Sequence, residues 1–97
     1  MYIIDITVNE DITPEQHEEL FPKHAAWFAK YHQAGNFLII GPCTERERAG
    51  VIIAQTQDRA ELEHILAEDS YYPDLATYVI SEFTPKMVAT NIEQFKA

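Results

Sequence analysis

The chain has 97 residues, 46% of them hydrophobic, and its 16 acidic residues outnumber 7 basic ones to give a formal net charge of −9 at pH 7. This length is typical of one small domain, and the hydrophobic fraction is too high for a disordered chain. The acidic excess argues against nucleic acid or an anionic membrane surface as a partner, because both attract clustered Lys and Arg. We expect a single domain over residues 1–97, with a core of about residues 2–86 and a tail of residues 87–97.

The sequence lacks the features of a secreted or membrane-inserted protein. Cys43 is the only cysteine, so no internal disulfide can form, which fits a reducing compartment. The first residues lack the basic segment and apolar stretch of a signal peptide. No apolar run reaches the roughly 18 residues that a membrane-spanning helix needs. These features predict a cytoplasmic location.

A strand and a helix are predicted first along the chain. Residues 2–8 alternate in polarity, which is the period of a strand with one strongly apolar face. Residues 13–16, Thr-Pro-Glu-Gln, have the pattern of a helix start with a capping box. Pro22 interrupts the helical pattern, so either one helix kinks there or a short helix ends and a second begins. Gly35 is a suitable terminating residue.

Two apolar runs, residues 37–40 and 51–54, flank a short charged loop at residues 44–49. This arrangement predicts an antiparallel hairpin. Because both runs are apolar on both faces, they predict a sheet that is buried on both sides. The helices of one chain can cover only one side, so we expect a second copy of the chain to cover the other.

The second half of the chain contains one more helix and one more strand. Asp58 is a suitable cap for a helix whose apolar stripe lies within residues 62–66, and Pro73 follows its end. Residues 77–83 are rich in strand-forming types. Residues 90–93 have the pattern of a short terminal helix.

The element order is therefore β-α-β-β-α-β. Right-handed crossovers place both helices on one face of a four-stranded antiparallel sheet. The sequence thus predicts an α+β domain of the ferredoxin-like type.

Two polar residues occupy positions where the pattern expects apolar ones. His24 lies four residues after Leu20 and four before Phe28, and Asp69 lies four residues after Ile65. If both helices cover one face of the sheet, the two side chains can approach each other. An acid beside an imidazole fixes the tautomer of the ring and suits it to general acid–base catalysis. The alternative is a core histidine with satisfied hydrogen bonds and an unrelated Asp at a helix end.

Other polar residues are weaker candidates. Ser70 and Tyr71 follow Asp69 and are predicted to contact a substrate, the alternative being that the tyrosine seals the helix end. Cys43 would need a positioned base to act as a nucleophile, so a small buried residue is its alternative. The histidines His17, His24 and His32 contain no pair four residues apart, and we expect no metal site.

Several short motifs occur in a recognisable order. A Pro-x-His segment at residues 22–24 is followed by Ala-Gly at residues 34–35, by an apolar strand ending in Gly41-Pro42, and by Asp-Ser-Tyr at residues 69–71. Over about residues 2–86 this order resembles the YCII-related domain family. Two residues depart from the family pattern: Phe21 stands where many relatives have Arg, and Ser70 stands where the motif has Pro.

The resemblance implies a ferredoxin-like subunit that dimerises into an α+β barrel and uses His24 and Asp69 as a catalytic pair. It also implies similarity in fold to muconolactone isomerases, and one similar protein is a dehydrochlorinase acting on a hydroxylated aromatic compound. We therefore expect a homodimeric isomerase or lyase that works by proton transfer and needs no cofactor. Its expected substrate is a small oxygenated compound, a class that includes aromatic compounds. The alternatives are a non-catalytic ligand-binding or regulatory module and a cofactor-independent monooxygenase.

Overall fold

The computed structural model describes residues 1–97, and its elements follow the predicted order. They are β1 (Tyr2–Val8), α1 (Pro14–Gln33), β2 (Phe37–Pro42), β3 (Ala49–Ala54), α2 (Arg59–Leu66), β4 (Ala76–Glu82) and a short 3₁₀ turn at Ile92–Phe95. The strands form one antiparallel sheet in the order β2-β3-β1-β4. The predicted α+β arrangement is thus confirmed and is compatible with a ferredoxin-like fold. None of the helices is both long and apolar enough to cross a membrane.

Helix α1 is one continuous helix that contains Pro22. At its start the Thr13 hydroxyl accepts a hydrogen bond from the Gln16 N–H at 3.2 Å, and the Gln16 side chain accepts one from the Thr13 N–H at 2.9 Å. The capping box therefore forms as predicted. Of the two alternatives at Pro22, a break into two helices is wrong. Gly35 follows the helix with a φ of 88°, a left-handed conformation that glycine adopts without strain.

The hydrophobic core lies between the sheet and the two helices. Every second residue of β1 is buried there, and Ile4 is paired with Ile52 on β3 and Ile80 on β4. The core contains 15 buried apolar residues: Tyr2, Ile4, Ile6, Val8, Ile12, Trp27, Tyr31, Phe37, Ile52, Ala54, Leu62, Ile65, Leu66, Tyr71 and Ala76. Because both helices pack on this side, His24 and Asp69 are brought to the same layer.

The other face of the sheet is uncovered by helices and exposes several large apolar side chains. Ile3, Ile39 and Val79 are exposed there at 40%, 49% and 58%. Ile53 lies between Ile3 and Ile39 in the strand register. The burial of this face that the sequence predicts is therefore absent from the single chain.

After β4 the chain passes beside its own first residue. The Phe83 N–H donates a hydrogen bond to the Met1 carbonyl at 2.8 Å. Residues 83–88 then line a cavity of about 340 Å³ together with Leu38 and Ile39. Met87 is 94% exposed and Phe95 is 76% exposed.

Candidate functional site

The two polar residues predicted on the inward helix stripes are in direct contact. His24 lies in the middle of α1, Asp69 lies in the turn after α2, and both are buried. The His24 Nδ1 is 2.5 Å from the Asp69 Oδ1. The turn is held by backbone bonds from the Asp69 N–H to the Leu66 carbonyl and from the Tyr72 N–H to the Asp69 carbonyl. The structure thus brings the pair together, and its catalytic role stays a prediction.

The second oxygen of the same carboxylate has its own donor. The Tyr78 hydroxyl on β4 donates to the Asp69 Oδ2 at 2.5 Å, and no part of the Asp69 side chain is exposed. Burial is the main cause that raises the pKa of Tyr78 far above its ordinary value, and the hydrogen bond to Asp69 raises it further. The hydroxyl therefore keeps its proton and remains a donor. Asp69 is held from two sides, by an imidazole and by a phenol.

Sequence reasoning missed Tyr78 as a member of the site. In the sheet Tyr78 is paired with Ile6, a core residue, so it lies on the helix-facing side of β4. The sequence shows only that Tyr78 lies within a predicted strand. The register that assigns Tyr78 to that side becomes visible only in the folded structure.

The remaining nitrogen of the His24 ring is open. Nδ1 is engaged by Asp69, whereas Nε2 has no hydrogen-bond partner. No buried side-chain nitrogen or oxygen atom in the protein lacks a partner, so Nε2 must retain contact with solvent. With its Nδ1 proton donated to a carboxylate, a neutral imidazole carries a lone pair on Nε2. This atom can accept a proton from a bound molecule.

Aromatic side chains fix the plane of the imidazole. The ring centroid of His24 is 4.2 Å from that of Phe28, 5.1 Å from that of Tyr71 and 5.6 Å from that of Trp27. The Trp27 indole N–H in turn donates to the Ile65 carbonyl at 2.8 Å. The ring therefore has little freedom to rotate away from Asp69.

His24 forms part of the wall of a cavity between α1 and the β2–β3 hairpin. The cavity has a volume of about 760 Å³, which is within the range of small-molecule sites. Its walls are largely apolar, and its rim is formed by the hairpin loop at residues 43–48. The apolar wall residues include Ile6, Val8, Phe21, Phe28 and Ile40. The site therefore combines a largely apolar cavity with an imidazole in its wall.

A family model for the YCII-related domain matches residues 1–84. The chain belongs to the YCII-related domain family. No curated protein matches the chain at a significant level. The matched part of this YCII-related domain contains the whole sheet, both α-helices and the three residues of the His24–Asp69–Tyr78 cluster.

The two residues predicted to contact a substrate are placed behind the cavity wall. The Ser70 hydroxyl donates to the Leu20 carbonyl at 2.9 Å. Tyr71 is fully buried, and its hydroxyl is 3.1 Å from the Nδ1 of His17. Neither residue lines the cavity of this YCII-related domain, whereas His17 does. Contact between a substrate and Ser70 or Tyr71 therefore stays a prediction.

The histidines and the cysteine have separate partners in this YCII-related domain. The His32 Nδ1 is bonded to the Phe37 carbonyl at 2.8 Å. No three His, Cys, Asp or Glu side chains are grouped closely enough to hold a metal ion. The Cys43 sulfur accepts a hydrogen bond from Arg46 at 3.3 Å, and Arg46 also forms an ion pair with Asp5 at 2.7 Å.

Proposed function

We propose that this YCII-related domain is a small-molecule enzyme in which His24 transfers a proton. The observation that carries the proposal is the buried His24–Asp69 contact at 2.5 Å, together with an Nε2 that is free at a cavity of about 760 Å³. A general base needs a fixed tautomer and a free lone pair aimed at its substrate. Asp69 supports the first requirement and the cavity supports the second.

The proposed reaction begins when the Nε2 of His24 takes a proton from a carbon beside an oxygenated centre of the substrate. The electron pair of the broken C–H bond forms a double bond. In an isomerisation the proton returns to another atom of the substrate, and in an elimination such as dehydrochlorination a leaving group departs with its bonding electrons. The Asp69 carboxylate stabilises the imidazolium that forms. Both reactions are complete with a proton carrier alone, so the proposal includes no cofactor.

The cavity supports a small oxygenated ring compound as the substrate class. Its volume is sufficient for such a molecule, and Phe21, Phe28 and Ile40 offer apolar surface for the body of a ring. Aromatic and aliphatic walls favour an apolar ligand through the removal of its surface from water. The oxygenated end would lie near His24, because that is where a proton must be acidic enough to remove.

The proposal includes a homodimer. The sheet face opposite the helices exposes Ile3, Ile39 and Val79. Both α-helices pack on the opposite side of the sheet, and residues 83–88 line a cavity with Leu38, Ile39 and Ile53. A second copy presenting the same face would bury these side chains and complete a barrel of two sheets.

Solvent deuterium exchange tests proton transfer whatever the overall reaction is. A panel of hydroxylated and carbonyl-bearing cyclic compounds is incubated with the protein in D₂O, and the loss of C–H signals is followed by NMR. We expect at least one compound to exchange with the native protein, and we expect His24→Gln to reduce the rate by about 100-fold or more. His64→Gln, which changes an exposed histidine on α2, is the control and should exchange like the native protein.

Unchanged exchange in the His24→Gln variant would exclude His24 as the base. If compounds bind equally well to both proteins and none exchanges with either, the function is the non-catalytic binding module instead.

A further inference from the structure

Arg48 stands apart from the other two arginines of the chain. Arg46 is 2.7 Å from Asp5 and Arg59 is 3.5 Å from Glu63, whereas no carboxylate lies within 4 Å of the Arg48 guanidinium. This is unexpected in a protein with 16 acidic and 7 basic residues. Arg48 lines the same cavity as His24. An unpaired guanidinium is therefore available to the contents of the cavity.

The position of Arg48 is fixed at both its backbone and its side chain. Its carbonyl accepts a hydrogen bond from the Val8 N–H at 2.9 Å, and its Nη1 donates to the Ile12 carbonyl at 2.9 Å. Its φ is 51°, which is disfavoured for a residue other than glycine. Such strain is concentrated at functional sites, where the surrounding structure enforces it. The remaining N–H groups of the guanidinium are left to bind a ligand.

A second polar side chain, His17, lies on the helix side of the same cavity. Its Nδ1 is 3.1 Å from the Tyr71 hydroxyl, and its Nε2 has no partner. When the hydroxyl donates to Nδ1, the Nε2 of the neutral ring carries the proton and is a donor. Burial raises the pKa of Tyr71, and the charge of Arg48 opposes this rise. Arg48 and His17 both line the cavity, Arg48 from the hairpin loop and His17 from α1.

His24 lies at a distance that a small ring compound can bridge. His17 and His24 are seven residues apart on α1, which corresponds to two helical turns and roughly 10 Å along the axis. A ligand anchored near His17 and Arg48 would extend along the apolar wall formed by Phe21, Phe28 and Ile40 toward the open Nε2.

We propose that Arg48, assisted by His17, binds the carboxylate of a small organic acid whose apolar or aromatic body fills the cavity as far as His24. The single unpaired guanidinium matches one negative charge, and a carboxylate can accept two parallel hydrogen bonds from it. Glu45 and Glu47 on the rim would repel a more highly charged group such as a phosphate monoester. The proposal deepens the function of the same site and rests on His24 acting there.

Benzoate and benzamide are suitable probes because they have the same shape and differ in charge. Their binding is measured by NMR titration of the isotope-labelled native protein, Arg48→Gln and Arg59→Gln, the last being the matched control outside the cavity. We expect benzoate to bind the native protein and Arg59→Gln about tenfold more tightly than benzamide, since charge-assisted hydrogen bonds are the stronger ones. Arg48→Gln should abolish that preference and leave the affinity for benzamide unchanged.

A second measurement uses the native protein alone and does not depend on the folding of any variant. The side-chain N–H signals of Arg48 should shift on addition of benzoate and remain in place on addition of benzamide. Equal affinities of the native protein for the two probes, or unmoved Arg48 signals at saturating benzoate, would overturn the proposal.

The same titration on His24→Gln separates this inference from proton transfer. If the carboxylate site is correct, His24→Gln keeps the preference for benzoate, because Arg48 binds the negative charge of the carboxylate. If the preference is kept and deuterium exchange is also kept, the anion site stands and His24 is not the base. If the preference is absent from the native protein while exchange still depends on His24, the anion site fails and the proposed function stands.

Discussion

Asp69 is a buried carboxylate, and two donors make its burial tolerable. Removal of a charged group from water is costly unless hydrogen bonds compensate for the loss. The Tyr78 hydroxyl and the His24 ring supply one hydrogen bond to each oxygen. Tyr78 therefore acts on the site through Asp69, as a positioning residue.

Replacement of Tyr78 by Phe would leave one oxygen of the Asp69 carboxylate without a donor. We expect the free energy of unfolding to fall by about 1–3 kcal/mol, which is the cost of an unsatisfied buried polar group. Urea denaturation of both proteins measures this change. Tyr72→Phe is the matched control, because Tyr72 is 39% exposed and its hydroxyl has no partner within the protein. An equal loss in both variants would contradict the assignment.

Replacement of Asp69 by Asn tests the orientation of the imidazole directly. An amide has one oxygen and one NH₂ group, so it no longer offers an acceptor at both positions. We expect the native His24 to hold its proton on Nδ1 and the variant to populate the other tautomer as well. The two ring nitrogens are distinguished by ¹⁵N NMR. Deuterium exchange should fall by about 100-fold or more, and an unchanged tautomer would show that Asp69 does not orient the ring.

At the scale of elements, an exposed cluster joins α1 to the turn after α2. The Glu68 carboxylate accepts hydrogen bonds from Lys30 at 2.6 Å and from the Tyr31 hydroxyl. These bonds lower the pKa of Glu68 from its ordinary value of 4.5, and the bond from Lys30 has the larger effect. Since Glu68 directly precedes Asp69, the cluster also fixes the approach of the second helix to the site.

The lowered pKa of Glu68 predicts a pH-dependent contribution to stability. A carboxyl group with a lower pKa in the folded state stabilises the fold above its unfolded pKa, and the contribution disappears as the pH falls through the folded value. We expect Glu68→Gln to be less stable than the native protein near pH 7 and to approach it below pH 4.5. Urea denaturation across this pH range measures the difference. A difference in the free energy of unfolding that is constant with pH would contradict the expectation. Glu63→Gln on α2 is the control.

Local patterns predicted the elements better than the contacts between them. The alternation of β1 and the capping box of Thr13 are encoded within a few residues, and both form as expected. Pro22 left two alternatives because its outcome depends on the burial of Trp27 and His24 against the sheet. Tyr78 meets Asp69 through strand register and the path of the intervening turn, which no local pattern contains.

At the scale of the whole molecule, the uncovered sheet face predicts association. Ile3 lies on β1, a central strand, and is 40% exposed in the single chain. We expect the native protein to have the mass of a dimer by light scattering and Ile3→Asp to have that of a monomer, because a charge would be buried at the interface. Ala60→Asp, which adds the same charge to an exposed position on α2, should remain a dimer. A monomeric native protein would refute the expectation.

The cavity is built from two parts that belong to different elements. Its imidazole is locked between a helix, a turn and a strand that also form the hydrophobic core, whereas its rim belongs to the hairpin loop of residues 43–48. Changes in that loop can alter which molecules enter while the core and the His24–Asp69 contact stay the same. For protein engineering, this loop is the segment in which to vary length and charge when a change in ligand range is sought on an unchanged core.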